Sequence, residues 1–106
     1  MSIDIAALFG DNLKRQRRLA DLSQDETAVR ASLHRTEISY LERGLRLARA
    51  DTIAKLAGAL EIDAGELFAG IAWTPGDVRY GSFVEARGSR PGNRPTEVRV
   101  ERPTGS

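Results

Sequence analysis

No cysteine occurs in the 106 residues, so a disulfide framework, a thiolate metal site and a thiol nucleophile are excluded. A single histidine argues against a zinc site. No apolar run approaches the ~20 residues that span a bilayer, and the opening Met-Ser-Ile-Asp-Ile lacks the basic-then-apolar order of a secretory signal. Charge of one sign is lacking too: sixteen Lys and Arg against fifteen Asp and Glu leave +1, far from the strongly basic footprint usual in a nucleic-acid binder. No nucleophile–base set or phosphate-binding loop stands out, so an enzyme is not expected. These absences predict a cytoplasmic protein without metal or cofactor, with room for one domain of roughly 70 residues and an appendage.

The charge that is present is unevenly spread. Residues 1–49 hold nine basic and seven acidic groups, residues 50–72 one and four, and residues 73–106 six and four. Acid is concentrated in the middle, with basic groups before and after it.

Helical periodicity dominates the first 70 residues. Residues 5–20 place Ile5, Leu8, Phe9 and Leu13 on one face, with Lys14, Arg15 and Arg18 off it. Asp21 and Leu22 interrupt. Ser23-Gln24-Asp25-Glu26 has the form of a capping box and opens a short helix over about 24–30 with Thr27, Ala28 and Ala31 inward. After Ala31-Ser32-Leu33 a new helix runs from about His34 to Arg43, with Ile38 and Leu41 as its buried pair and Gly44 as its left-handed stop. A fourth helix, capped by Asp51, carries Ile53, Leu56, Ala57 and Leu60, and Asp63 caps a fifth containing Leu67 and Phe68. The fold expected is all-α: a five-helix domain over residues 1–72.

Composition changes after Trp73. Residues 74–106 contain all four prolines and half of the ten glycines. Arg79–Glu85 and Thr96–Arg102 have strand character, the second through alternation of Val98 and Val100 with Glu97, Arg99 and Glu101. Residues 73–106 are therefore expected as an extension, either a hairpin or strand, or a flexible tail. Arg87, Arg90 and Arg94 lie among its turn-forming residues, a composition that serves a linker or an arm entering a minor groove.

The informative stretch is Leu22 to Gly44. Two short helices joined by a three-residue turn hold the second at a steep angle with its N-terminal half exposed. Such a helix fits the ~12 Å wide major groove of DNA. Leu22-Ser23-Gln24, Ala28, Leu33, Ile38-Ser39, Leu41-Glu42-Arg43-Gly44, the Thr52–Leu60 helix and Leu67-Phe68 together resemble the XRE family, the Cro and lambda-repressor type of helix-turn-helix regulator. The resemblance covers roughly residues 6–70. Leu33-His34-Arg35-Thr36 running into Ile38-Ser39 is also similar to the recognition helix of restriction-modification controller proteins, a subset of that family. Asp21 and Ser32 stand where the family usually has glycine, Thr27 where it has leucine, and Gln16 where it has an apolar residue.

The resemblance implies site residues. Arg35 and Thr36 occupy the positions the family uses to reach bases: Arg can bond guanine O6 and N7 together, and Thr can pack on a thymine methyl or bond a phosphate. Ser39 and Tyr40 follow one turn later on the same side, and for Tyr40 a base contact, a phosphate contact and simple exposure stay open. Glu37 either accepts from cytosine N4 or completes a cap with His34, whose own role is the N-cap. Gln24 sits where the family bonds a phosphate, and Arg43, Arg46 and Arg49 flank Gly44 along the same backbone. Arg17 and Glu42 match a family ion pair between the first and third helices.

The function implied is a regulator of transcription that binds double-stranded DNA as a homodimer on a palindromic operator, since one recognition helix covers only about half a turn. Helices 4 and 5 or the tail would supply the dimer surface. An antitoxin-like autorepressor whose residues 73–106 bind a protein partner, and an adaptor that does not read DNA, are the alternatives.

Overall fold

The computed structural model describes residues 3–76 and 81–86. Its first helix, α1 (Ile5–Leu19), starts at Asp4, whose carboxylate accepts from the Ala7 amide at 3.1 Å, and ends with Arg17 and Arg18 in its last turn, where cations suit the helix dipole. α2 (Gln24–Ala31) and α3 (Arg35–Glu42) follow, then α4 (Ala50–Leu60) and a 3-10 helix, Ala64–Phe68. Among the described residues there are thus four α-helices, not five. The last one tightens because it is only five residues long and short helical turns settle into i→i+3 bonding. Asn12 reinforces this by donating to the Leu67 and Ala69 carbonyls, both at 2.9 Å.

The extension also differs from expectation. β1 (Ile71–Thr74) pairs antiparallel with β2 (Ser82–Glu85), in the register Ile71↔Glu85 to Thr74↔Ser82. Of the strand expected at Arg79–Glu85, residues 82–85 are the second strand of a two-stranded sheet whose first strand follows the 3-10 helix. Arg79 and Tyr80 lie outside the described residues, and the 72/73 boundary falls inside β1. Thr96–Arg102 and the tail arginines lie outside the described residues. Trp73 meets Phe83 edge to face at 5.1 Å, and a β-carbon on Gly81 would run into the indole. The hairpin is tied to the helices by Ala86 N–H to Gly70 at 2.8 Å, by Ile3 N–H to Phe83 at 3.3 Å, and by Ile71 packing on the core.

That core contains Phe9, Leu13, Ala28, Ala31, Ile38, Leu41, Leu56, Ala59, Leu60 and Leu67. Ile5 and Leu8, expected on the inner face of α1, are only partly buried. Each α-helix ends in the same way. A residue at positive φ (Asp21, Ser32, Gly44 or Glu61, at 60°, 57°, 71° and 58°) reverses the chain. The next amide then bonds back five residues, as in Leu33 N–H to Ala28 at 2.9 Å and Leu45 N–H to Tyr40 at 3.0 Å. This is the Schellman arrangement, and only one of the four positions is glycine. At the start of α4 the N-cap is Arg49 rather than Asp51, whose carboxylate instead accepts from the adjacent Thr52 amide at 2.9 Å. Asp51 still places an acid in the first turn. No helix among the described residues is long and apolar enough to cross a membrane.

Candidate nucleic-acid interface

The α2–turn–α3 unit is set by local chemistry at both ends of α2. Ser23 Oγ accepts from the Glu26 amide at 2.9 Å and the Glu26 carboxylate accepts from the Ser23 amide at 2.7 Å. The Ser23 amide first, and the nearby Ser23 hydroxyl second, hold the Glu26 carboxyl below the usual range by favouring its charged form. At the other end Ser32 turns left-handed and Leu33 drops back toward the core.

α3 is pinned by what lies beneath it. Ile38 and Leu41 are fully buried. A β-carbon on Gly10 of α1 would collide with the carbonyl oxygens of Leu41 and Glu42, and one on Gly44 would lie 3.0 Å from the Ala7 α-carbon. The backbone of α1 therefore seats directly against the end of α3. Beside that contact, Arg17 binds Glu42 through two nitrogens, Nε at 2.6 Å and Nη2 at 3.0 Å, while its Nη1 donates to the Leu22 carbonyl at 2.8 Å. The two side chains are only 11% and 3% exposed, and the hydrogen bond to Glu42 raises the Arg17 pKa above its ordinary value. Gln24 donates to the same Glu42 carboxylate at 3.0 Å. One carboxylate thus gathers α1, α2 and α3.

The opposite side of α3 is open. His34 is its N-cap residue but makes no side-chain cap bond, and the expected Glu37–His34 side-chain cap is absent: the amide of Glu37 bonds the His34 carbonyl at 3.0 Å instead. Arg35 and Thr36 are exposed, Ser39 and Tyr40 half-buried. Arg35 Nε lies 3.4 Å from Asp25 of α2, in a largely exposed pair. His34, Thr36, Glu37, Tyr40 and Arg46 line one shallow groove. Arg43 and Arg46 place their guanidinium carbons 5.6 and 4.9 Å from the centroid of the Tyr40 ring. Arg49 stands apart at the start of α4, 3.4 Å from Asp51 and largely exposed.

The geometry brings Thr36, Tyr40, Arg43 and Arg46 together around one groove and ring, sets Arg35 beside Asp25 and Gln24 on Glu42, and leaves Arg49 at the start of α4. Sequence reasoning missed three connections: Asp25 to Arg35, Gln24 to Glu42, and the two arginines on Tyr40. The acid at 25 and the aromatic at 40 were the only signals for them. Among the described residues no cluster of His, Cys, Asp and Glu could hold a metal ion.

Two short helices joined by a left-handed turn, the second one seated on the first helix and exposed at its N-terminal half, make up a helix-turn-helix unit. Residues 13–67 match the helix-turn-helix family model HTH_3, and the chain belongs to that family, of the XRE type. It is 41% identical over 69 residues to the control protein C.BamHI of Bacillus amyloliquefaciens, a match covering 63% of this chain and 84% of that protein. It is 36% identical over 73 residues to the HTH-type transcriptional regulator y4dJ of Sinorhizobium fredii, covering 69% and 95%. The crystal structure of the restriction-modification controller protein C.AhdI from Aeromonas hydrophila superposes with a TM-score of 0.58 at 38% identity, over 59% of this chain and 96% of that one.

Proposed function

We propose that the chain is a cytoplasmic, sequence-specific regulator of transcription that inserts α3 into the major groove of duplex DNA. The observation that carries this is the asymmetry of α3. Ile38, Leu41 and Glu42 are held rigidly from below, while Arg35 and Thr36 project from an uncapped N-terminal turn into solvent. Arg35, Thr36 and Ser39 face the base edges, with Arg35 suited to guanine O6 and N7. Gln24, Arg43, Arg46 and Arg49 serve the phosphates that position the protein but carry no base identity. Gln24 does so from a carboxamide already oriented by Glu42. The reading is one of binding and assigns no catalytic step.

A single α3 reads too few bases for tight specific binding, so the active form is a homodimer on a palindromic site with half-sites ~10–10.5 bp apart or multiples of this. Selection of bound duplexes from a random pool tests all of this together. A palindromic motif should be enriched. Arg35→Ala should cost about 1–3 kcal/mol and relax one position per half-site. Failure to enrich any motif, or an unchanged motif and affinity in Arg35→Ala, overturns the assignment.

A further inference from the structure

Tyr40 faces cations of its own chain. The cause is the backbone at the end of α3. Gly44, at φ +71°, reverses the chain, and the bonds from Leu45 N–H to Tyr40 and from Gly44 N–H to Leu41, at 3.0 and 3.1 Å, lock the reversal. Arg46 is thereby returned over the Tyr40 ring at 4.9 Å, while Arg43, the last residue before the turn, reaches it at 5.6 Å. Both distances are within the ~6 Å over which a ring face attracts a cation.

The neighbouring arginines show why this matters. Arg17, Arg30, Arg35 and Arg49 each have a carboxylate within ion-pair distance, and Arg15 donates to the Asn12 carboxamide oxygen. Among the described arginines without a carboxylate partner (Arg15, Arg18, Arg43 and Arg46), Arg43 and Arg46 are the two gathered on the face of one aromatic ring. Glu37 lines the same groove as Arg46 without pairing with it. Two like charges gathered on one neutral ring, beside a helix that presents its other end to bases, form a preset anion seat. We propose that Tyr40 is a positioning residue: its ring holds Arg43 and Arg46 together against a DNA phosphodiester flanking the site that α3 reads, and it does not itself read a base. This rests on the DNA-binding reading above.

Because the ring face is what acts, the hydroxyl is dispensable. Tyr40→Phe binds both the selected duplex and a scrambled duplex within about twofold of the unmodified chain. Tyr40→Leu weakens both equally, by roughly fivefold, as expected for two solvated ring–cation contacts. In an Arg43→Ala/Arg46→Ala background Tyr40→Leu costs nothing further, because the contacts it would remove are already gone. In the free protein the side-chain protons of Arg43 and Arg46 are shielded by the ring current; Tyr40→Phe keeps that shielding and Tyr40→Leu abolishes it. A base preference that shifts in Tyr40→Phe, a full additional loss in the double-arginine background, or absent shielding in the free protein each overturns the positioning role while the DNA reading stands. If the unmodified chain enriches no duplex, the DNA reading falls and this proposal falls with it.

Discussion

Arg17→Met is the perturbation with the largest consequence, because it strands a charge. Glu42 accepts three hydrogen bonds, two from Arg17 and one from Gln24, and its side chain is 3% exposed. Methionine fills much of the arginine stem's space but leaves the carboxylate with one neutral donor. Breaking a buried pair by removing one partner costs about 3–5 kcal/mol, set against a total stability of about 5–15 kcal/mol for a domain. At roughly 4–8 °C per kcal/mol for a domain of 60–100 residues, the melting temperature should fall by at least about 12 °C, read by circular dichroism. The partner variant, Arg17→Met/Glu42→Leu, removes both charges and should recover most of the loss, since apolar replacement of a whole buried pair is often neutral. A loss under about 1 kcal/mol in Arg17→Met would place the pair with solvated surface bridges and refute the reasoning. A double variant no better than the single would assign the cost to lost packing of the arginine stem.

Thr27 is fully buried and its hydroxyl has no hydrogen-bond partner among the described residues. Thr27→Val should therefore raise stability by about 1 kcal/mol; a lower urea midpoint would contradict this. Ser32 sits at φ 57°, where an L-residue is strained by about 1–2 kcal/mol and glycine is not. Ser32→Gly should gain about 0.5–1 kcal/mol after glycine's extra unfolded-state entropy, and a loss in chemical denaturation would count against the strain argument. The lowered Glu26 pKa means its folded-state bonds favour the charged form. Their contribution is present above the ordinary carboxylate range and is lost as pH falls through the lowered folded-state value. Ser23→Ala should move the Glu26 titration, followed by carbon-detected NMR, partway back up and leave it depressed by the remaining backbone bond; an unmoved curve would refute the hydroxyl's share.

The helices were legible where periodicity and local chemistry agree. α1 to α3 follow from their apolar spacing, the Ser23–Glu26 box and the stop at Gly44. Glu61 shows the limit. Glutamate carries no signal for positive φ, yet the chain must turn there because Ile62 returns to the core and bonds Ala57 at 3.0 Å. The fifth helical segment was legible as helical but not as 3-10, because the tight geometry is shared with the Asn12 side chain 55 and 57 residues away. β1 was not legible. Ile-Ala-Trp-Thr follows a helical stretch without alternation of polar residues, and its strand state comes from pairing with residues 82–85.

The candidate site divides along the same physical line. Arg35, Thr36, Ser39 and Tyr40 stand at the positions the family resemblance marks for reading bases, and the 3.6-residue period agrees by setting them off the face of Ile38 and Leu41. What those residues touch depends on how α1 and α2 cross α3, and no spacing within α3 encodes that. The crossing is set by residues outside the reading surface. Gly10 lets the α1 backbone approach the carbonyls of Leu41 and Glu42, Gly44 fits against Ala7, and Arg17 draws Glu42 inward. With those three contacts made, Gln24 bonds Glu42, Asp25 stands beside Arg35, and the reversed chain lays Arg46 on Tyr40. The orientation of α3 is thus set by α1 together with α2. On the DNA-binding reading proposed above, substitutions at Gly10 or Arg17 should therefore weaken binding of the selected duplex, read by the same binding assay as Arg35→Ala, although both residues are buried beneath α3.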